Sequence, residues 1–359
     1  MGAVITGWGK CVPPAVLTNT AMTEFLDTSD EWIVTRTGIR ERRISHVGMV
    51  DLATVAAQQA LAAAGYKAAE IDCIIVATAS ADLLIPNAAS RVQLQLGNSR
   101  AAAFDTNVGC CGFVYALAMA NGLITTGVHD RVLVIGAERL TPIIDWTQRD
   151  SAILFGDGAG AVVVEGGAAD EGVLSAFLAC DPVPGESLMV RDLGMSAGHE
   201  RIQQPYDLSF DGREVFRNAV PGMASAAELA LGRADLTVAD VALVVPHQAN
   251  LRIIEAVAKR LGVDPELFAT NLQRYGNTSA ASIPLALTEA LEEGRVAPDS
   301  VLLFAAFGAG LSSAACVLRW GDRVTPLGES SATLVECDMS ARELLSPALD
   351  FQQNWNATH

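Results

Sequence analysis

The chain has 359 residues, half of them apolar, and carries 24 basic against 41 acidic side chains for a net charge of −17. That length and apolar fraction provide for a substantial core, in one large domain or two medium ones. The acidic balance, with no Lys/Arg block at either end, argues against a sequence-wide nucleic-acid or anionic-membrane surface, so an acidic partner has to dock on a local basic patch.

Seven cysteines, with no CxxC pair and an odd count, fit a reducing compartment, and the cytoplasm is the expected location. The N-terminal stretch lacks a charged region followed by a long apolar run, and no later stretch supplies ~18 uninterrupted apolar residues. Neither export nor membrane insertion is indicated.

Short apolar runs bounded by Gly, Pro or Asp alternate with helix-period segments, which predicts a layered α/β protein. Val4-Ile5 near Pro13-Pro14 comes first, then Cys73-Ile74-Ile75-Val76, then Ala101 to Thr106. Behind the last of these, Phe113, Leu117, Ala120 and Leu123 or Ile124 recur at helical spacing, and Arg131 to Gly136 reads as the next strand.

The order then recurs. Val173-Leu174 near Pro182-Val183-Pro184 echoes the first strand, Ala242 to Val245 the second, Phe268 to Asn271 echoes Phe104 to Asn107, and Ser300 to Ala305 echoes Arg131 to Gly136. Offsets of roughly 165 to 170 residues predict two similar α/β halves, 1–170 and 171–320. Chance apolar similarity explains any one match better than it explains four in order. Residues 321–359 follow as a tail of unassigned role, with a weak helical stretch around Ala341 to Leu345.

Three strand-to-helix corners carry reactive side chains. Cys110 precedes the helix through Phe113, where unpaired backbone N–H groups and the positive dipole end favour a thiolate. A Cys among apolar residues is, by itself, usually a packing residue, and Cys111, about 100° around the helix, reads that way. His247 ends the run Val241 to Val245 and precedes a helix marked by Leu251, Ile254, Val257 or Ala258, and Leu261; strand ends are where α/β sites form. His46, His129, His199 and His359 stand in polar, loop-like contexts. Asn277, with Thr278 and Ser279, precedes a helix through Ile283, Leu287 and Leu291 and reads locally as a cap. Beside a Cys and a His, the same amide becomes an oxyanion or enolate donor.

Gly156-Asp157-Gly158-Ala159-Gly160 leads into a strand pattern rather than a helix, so a dinucleotide site is not supported. Phe307-Gly308-Ala309-Gly310-Leu311 also enters a strand, and its small residues allow backbone N–H groups to approach a substrate oxygen. HExxH is not present, and no metal site is expected.

From near the N-terminus to about Trp320 the sequence resembles the thiolase-fold condensing enzymes, specifically β-ketoacyl-[acyl-carrier-protein] synthase III. The resemblance rests on Thr28 to Arg40, the Cys110 corner with Gly112-Phe113, Phe155 to Gly160, the motifs around His247 and Asn277, and the Phe307 turn. It implies a thiolase-like fold of two pseudo-symmetric α/β halves in an α-β-α-β-α arrangement. It also implies decarboxylative Claisen condensation of an acyl-CoA primer with malonyl-acyl carrier protein, starting fatty-acid or polyketide synthesis without a separate cofactor.

By that resemblance Cys110 accepts the acyl group, and His247 and Asn277 hold the malonyl thioester oxygen. The N–H groups of Cys110 and Ala309 form the oxyanion hole, with Phe307 beside the site. Trp32, Arg36, Arg149 and Arg252 line the coenzyme A mouth, with Asn250 near the pantetheine. Arg252, with Lys259 and Arg260, docks the carrier protein.

A homodimer is implied, in which Ile85, from Leu84-Ile85-Pro86, borders the partner's acyl pocket and is smaller than the aromatic residue found there in some members. Cys111 stands where Ala is frequent and could crowd the nucleophile's helix, and the tail is longer than usual. Two other readings stay open: acyl transfer to an alcohol, amine or water, and a non-catalytic subunit. Retention of Cys110, His247 and Asn277 counts against the second, and Asn277 against the first.

Overall fold

Two sheets with the same strand order carry the apolar runs. The computed structural model describes residues 2–168, 170–182, 188–190 and 208–358, with residues 355 and 358 given by backbone alone. Val183, Pro184, His199 and His359 lie outside the described residues.

The first half runs β1 (Ala3–Cys11), β2 (Ala15–Thr18), α1 (Asn19–Met22), α2 (Asp30–Thr37), β3 (Glu41–Ile44), α3 (Met49–Ala64), β4 (Cys73–Ala77), α4 (Ala88–Leu96), β5 (Ala102–Thr106), α5 (Gly112–Thr125), β6 (Arg131–Glu138), α6 (Arg149–Ala152) and β7 (Gly158–Gly166). The second runs β8 (Gly172–Cys180), β9 (Leu188–Val190), β10 (Leu208–Phe210), α7 (Gly212–Arg233), β11 (Val241–Pro246), α8 (Leu251–Leu261), α9 (Leu272–Tyr275), α10 (Ser282–Glu292), β12 (Val301–Gly308) and β13 (Ser312–Arg319), followed by α11 (Ala341–Thr358).

The first sheet is ordered β1-β7-β6-β4-β5 and the second β11-β12-β13-β8, which read from β8 is the same order of equivalents. The fifth place of the second sheet is taken by a single bridge, Phe268 to Val244. Strand senses repeat as well. β6 is antiparallel to β7 and parallel to β4, and β12 is antiparallel to β13 and parallel to β11.

Alternation along the strands builds five layers. In β6, Leu133 and Ile135 pack against α3 and α4, while Val132 and Val134 face a central layer of α5 and α10. In β12, Leu302 and Phe304 face that same central layer, and Leu303 and Ala305 face α7 and α8. Both faces of both sheets are covered, which is why the strands read as continuous apolar runs rather than alternating ones.

Two glycines of the first sheet allow this close packing. A Cβ on Gly136 would lie 2.2 Å from the Ala280 carbonyl oxygen, and one on Gly160 would lie 2.7 Å from Pro284 Cβ. The glycine-rich run therefore serves helix-to-sheet packing. Its Asp157 is wholly buried and accepts from Ser45 N at 2.8 Å and Thr141 Oγ1 at 2.6 Å.

The tail differs from expectation. In place of a weak helical stretch near Ala341 to Leu345, α11 is an 18-residue helix that continues through Pro347. Ala341, Leu345 and Leu349, spaced four apart, bury one face in the core that holds Trp146 and Ile144. Burying each leucine is worth roughly 1.5–3 kcal/mol, so tertiary packing supplies what local propensity lacks.

Candidate active site

Cys110 lies in a single 3-10 turn, Gly109–Cys111, between β5 and the start of α5. Gly109 takes a left-handed φ of 50°, which turns the chain at the strand end. Cys111 points the other way: it is buried, and its thiol donates to the Ser312 carbonyl at 3.3 Å. It packs between the sheets.

Burial works against the dipole-stabilised thiolate expected at this helix start. Burial pushes the Cys110 thiol up to about 11, the charge of Glu138 adds to the rise, and the Ser279 hydroxyl and the cysteine's own backbone N–H only partly oppose it. Part of the side chain faces a cavity.

His247 follows β11, and its backbone N–H donates to the Ala305 carbonyl at 2.8 Å. The imidazole is buried, and burial holds its pKa down at about 3, so the ring is neutral. Nδ1 lies 2.8 Å from Ser282 Oγ, at the start of α10, which leaves Nε2 for the cavity. Asn277 is fixed by its backbone: its N–H donates to Leu154 O at 2.8 Å and its carbonyl accepts from Gly156 N at 3.1 Å. Its side-chain oxygen accepts from Ser279 N at 2.9 Å, so the carboxamide N–H groups remain for a ligand.

Ser279 and Glu138 are site residues that the sequence reading missed. Ser279 has φ of 47°, a left-handed conformation that costs a non-glycine residue roughly 1–2 kcal/mol. Glu138 is wholly buried at the end of β6 and accepts from Thr78 Oγ1, Ala79 N and Ser80 Oγ. Burial raises its pKa, against those bonds and contacts with Ser279 and Ala280. A charged residue ending an apolar strand was the available signal.

Cys110, His247, Asn277 and Phe307 share one cavity of about 770 Å³, and Trp32, Arg36, Asn250 and Arg252 line it as well. Phe155, Ala219 and Met223 add an apolar wall that the sequence did not suggest. α2 is well specified: Ser29 Oγ caps it at Trp32 N, Asp30 and Glu31 fill its first turn, and Gly38 closes it at φ 77°. Trp32 and Arg36, four apart, therefore share a face.

Arg149 is not on the cavity wall but stands directly behind it. Its guanidinium and that of Arg36 each lie 4.4 Å from the Trp32 ring centroid, a doubled cation–π contact. Asn250 caps α8 through Arg252 N and donates to Arg36 O at 3.2 Å. Ala309 is not in the lining but adjoins the nucleophile's turn, since a Cβ on Gly109 would lie 3.6 Å from its nitrogen. Ile85 is 83% exposed and away from the cavity of its own chain. Among the described residues, no group of His, Cys, Asp and Glu could hold a metal, and no helix is long and apolar enough to cross a membrane.

Comparison with known proteins follows the same lines. The family profile for 3-oxoacyl-[acyl-carrier-protein] synthase III matches residues 104–182, and that for its C-terminal part matches 231–320. Beta-ketoacyl-[acyl-carrier-protein] synthase III 2 of Vibrio cholerae is 51% identical over 349 residues, covering 97% of this chain and 96% of the relative. The crystal structure of 3-oxoacyl-[acyl-carrier-protein] synthase III from Aquifex aeolicus matches with a TM-score of 0.83 at 42% identity, over 89% of this chain and 100% of that one. The priming beta-ketosynthase of the R1128 polyketide biosynthetic pathway matches with a TM-score of 0.84 at 35% identity, over 89% of this chain and 97% of that one.

About a tenth of this chain thus has no counterpart in the Aquifex protein, whereas the Vibrio relative matches nearly all of it. The layered sheets are those of the thiolase-like fold. With its two halves and these relatives along its length, the chain belongs to the β-ketoacyl-[acyl-carrier-protein] synthase III family of acyltransferases.

Proposed function

We propose that this chain condenses an acyl-CoA primer with malonyl-acyl carrier protein through an acyl-Cys110 intermediate, beginning a fatty-acid or polyketide chain. The observation that carries the reading is the single cavity holding Cys110, His247 and Asn277, with Trp32, Arg36 and Arg252 on its wall.

In the first half-reaction Cys110 sulfur attacks the thioester carbon, the bond from that carbon to the CoA sulfur breaks, and the thiol's proton leaves with CoA. N–H groups of Cys110 and Ala309 are suitably close to the nucleophile to serve the oxyanion. In the second, malonyl thioester loses carbon dioxide, and the electrons of the broken bond pass into an enolate. Its oxygen is held by two neutral donors, His247 Nε2–H and the Asn277 amide. The enolate carbon then attacks acyl-Cys110, a carbon–carbon bond forms, the carbon–sulfur bond breaks, and the released thiolate takes a proton from solvent. Kinetics are ping-pong.

A neutral His247 suits this role, because an N–H donor stabilises an enolate without first surrendering its proton. Ser282 Oγ donating to Nδ1 would select that tautomer. The apolar wall around Ala219, Met223 and Phe155 suits the acyl chain. Arg252, with Lys259 and Arg260 in the last turn of α8, gives a carrier protein a basic surface on an otherwise acidic molecule.

Labour divides between halves 1–170, with the nucleophile, and 171–320, with His247 and Asn277; residues 321–359 stand outside that division. The reaction requires no further cofactor. The active form is a cytoplasmic homodimer, in which exposed Ile85 reaches the partner's acyl pocket.

The test is intact-protein mass spectrometry with a panel of acyl-CoAs, followed by malonyl-acyl carrier protein. An adduct on Cys110 that disappears as 3-ketoacyl-carrier forms supports condensation and names the primer. An adduct that persists with malonyl-carrier yet passes to an alcohol or amine replaces condensation with acyl transfer.

A further inference from the structure

The tail packs against the segment that leads into the wall of the cavity. From the end of β13 it crosses the first half, where Leu327 N donates to Ala63 O at 2.9 Å and the Val335 carbonyl lies 2.8 Å from His46 Nε2. α11 then packs Ala341, Leu345 and Leu349 into the core beside Trp146. Its last turns engage the segment leading into α6. Gln352, 6% exposed, accepts from Trp146 N at 2.8 Å and donates to Ile144 O at 2.8 Å. Asn356 donates to Thr147 Oγ1 at 3.0 Å.

This segment continues directly into the site. Arg149, three residues after Trp146, lies over the Trp32 ring and donates to Asp27 O at 3.0 Å. Asp150, Ile153, Leu154 and Phe155 follow on the cavity wall. The tail reaches Trp146 by a second route as well, because Arg342 lies over the Phe25 ring, and Phe25 meets Trp146 edge-on at 6.4 Å. A backbone segment between two strands ordinarily satisfies its own polar groups by turns or water. Here a glutamine some two hundred residues away satisfies two of them in a buried setting, which fixes the segment's position as well as its stability.

We infer that residues 321–358 act as a strap, with Gln352 as the positioning residue that sets Arg149 behind the Trp32 wall, where the nucleotide part of CoA enters. The inference rests on the proposed role of that mouth in binding acyl-CoA.

The experiment compares wild type with Gln352→Ala and, as a control in the same tail, Val335→Ala, whose side chain is 69% exposed. CoA affinity is measured by calorimetry, and Cys110 acylation by acetyl-N-acetylcysteamine, a thioester with no nucleotide, by mass spectrometry. Gln352→Ala is expected to weaken CoA binding threefold or more while leaving acylation by the small thioester within twofold; Val335→Ala changes neither.

CoA affinity unchanged in a folded Gln352→Ala protein overturns the strap, as does an equal loss in Val335→Ala or in acylation by the small thioester. If Gln352→Ala does not fold, Asn356→Ala is read by the same criteria. Wild type that binds no CoA overturns the reading of the mouth itself. Wild type that binds CoA beside unaffected variants removes the strap alone.

Discussion

Ser282 Oγ and His247 Nδ1 lie 2.8 Å apart in a region closed to bulk water. This pairing of a residue from α10 with one from the end of β11 orients the imidazole and satisfies its inner nitrogen. Replacing Ser282 by Ala leaves Nδ1 unpaired and the tautomer unselected. Condensation should fall about five- to tenfold, in line with a hydrogen bond of about 1 kcal/mol. Steady-state turnover with malonyl-carrier checks this, and an unchanged rate would remove Ser282 from the site.

His247 also makes stability depend on pH. In the unfolded chain the ring takes up a proton near pH 6.5, whereas in the folded protein it does so only near about 3. The unfolded state therefore binds more protons across that window, and stability is lost as pH falls from about 6.5 toward 3. The slope approaches about 1.4 kcal/mol per pH unit. Buried Glu138 and Asp157, whose pKa values are raised by burial, work in the opposite sense, so the quantity to measure is the difference between wild type and His247→Asn. Denaturant unfolding at pH 5.5 and 4.5 should give a shallower slope for the variant.

Cys110 should behave as a suppressed thiol in the free protein. With its pKa pushed up to about 11, the thiolate fraction, and with it alkylation by iodoacetamide, rises about tenfold per pH unit between pH 7 and 10. Peptide mass spectrometry of the alkylated protein resolves this cysteine from Cys111. A plateau above pH 8 would mean that the helix terminus dominates after all.

Asn277→Ala separates the two half-reactions. The amide faces the cavity, while the Cys110 turn is built from another corner. Condensation should drop about 10²–10³-fold, the usual loss for one oxyanion donor. Acylation of Cys110 should stay within about threefold, as it should for His247→Ala, and equal loss of both steps would contradict the assignment.

Gly160→Ala tests the packing beneath the site. A methyl group there meets the backbone and side chain of Pro284 and the nitrogen of Leu285, neither of which is a flexible end. Destabilisation of about 2–4 kcal/mol is expected from overpacking, seen as a lowered denaturation midpoint, with a further loss of condensation as α10 shifts Ser282.

Much of this was legible because strand runs and helix periods are local. The four echoed segments correspond to strands or bridges occupying matching places in the two sheets, and Cys110 and His247 stand at strand-to-helix changes, whereas Asn277 follows the short helix α9 and leads into α10. Gly156 to Gly160 was correctly read as entering a strand, but its purpose, close approach to α10, needed the partner helix to be seen. α11 was underread because its helix depends on burial of Ala341, Leu345 and Leu349 rather than on propensity. Ser279 escaped notice because nothing in a sequence announces a left-handed serine.

The sequence by itself determined the order of strands and helices, the twofold internal repeat and which side chains were candidates for chemistry, since periodicity and corner residues are properties of neighbouring positions. Only the tertiary structure decided their protonation, which depends on depth: burial makes His247 neutral and Cys110 a thiol despite its place near a helix start. It also decided which distant groups meet, as Gln352 meets Trp146, because such contacts follow from packing between layers and leave no local mark.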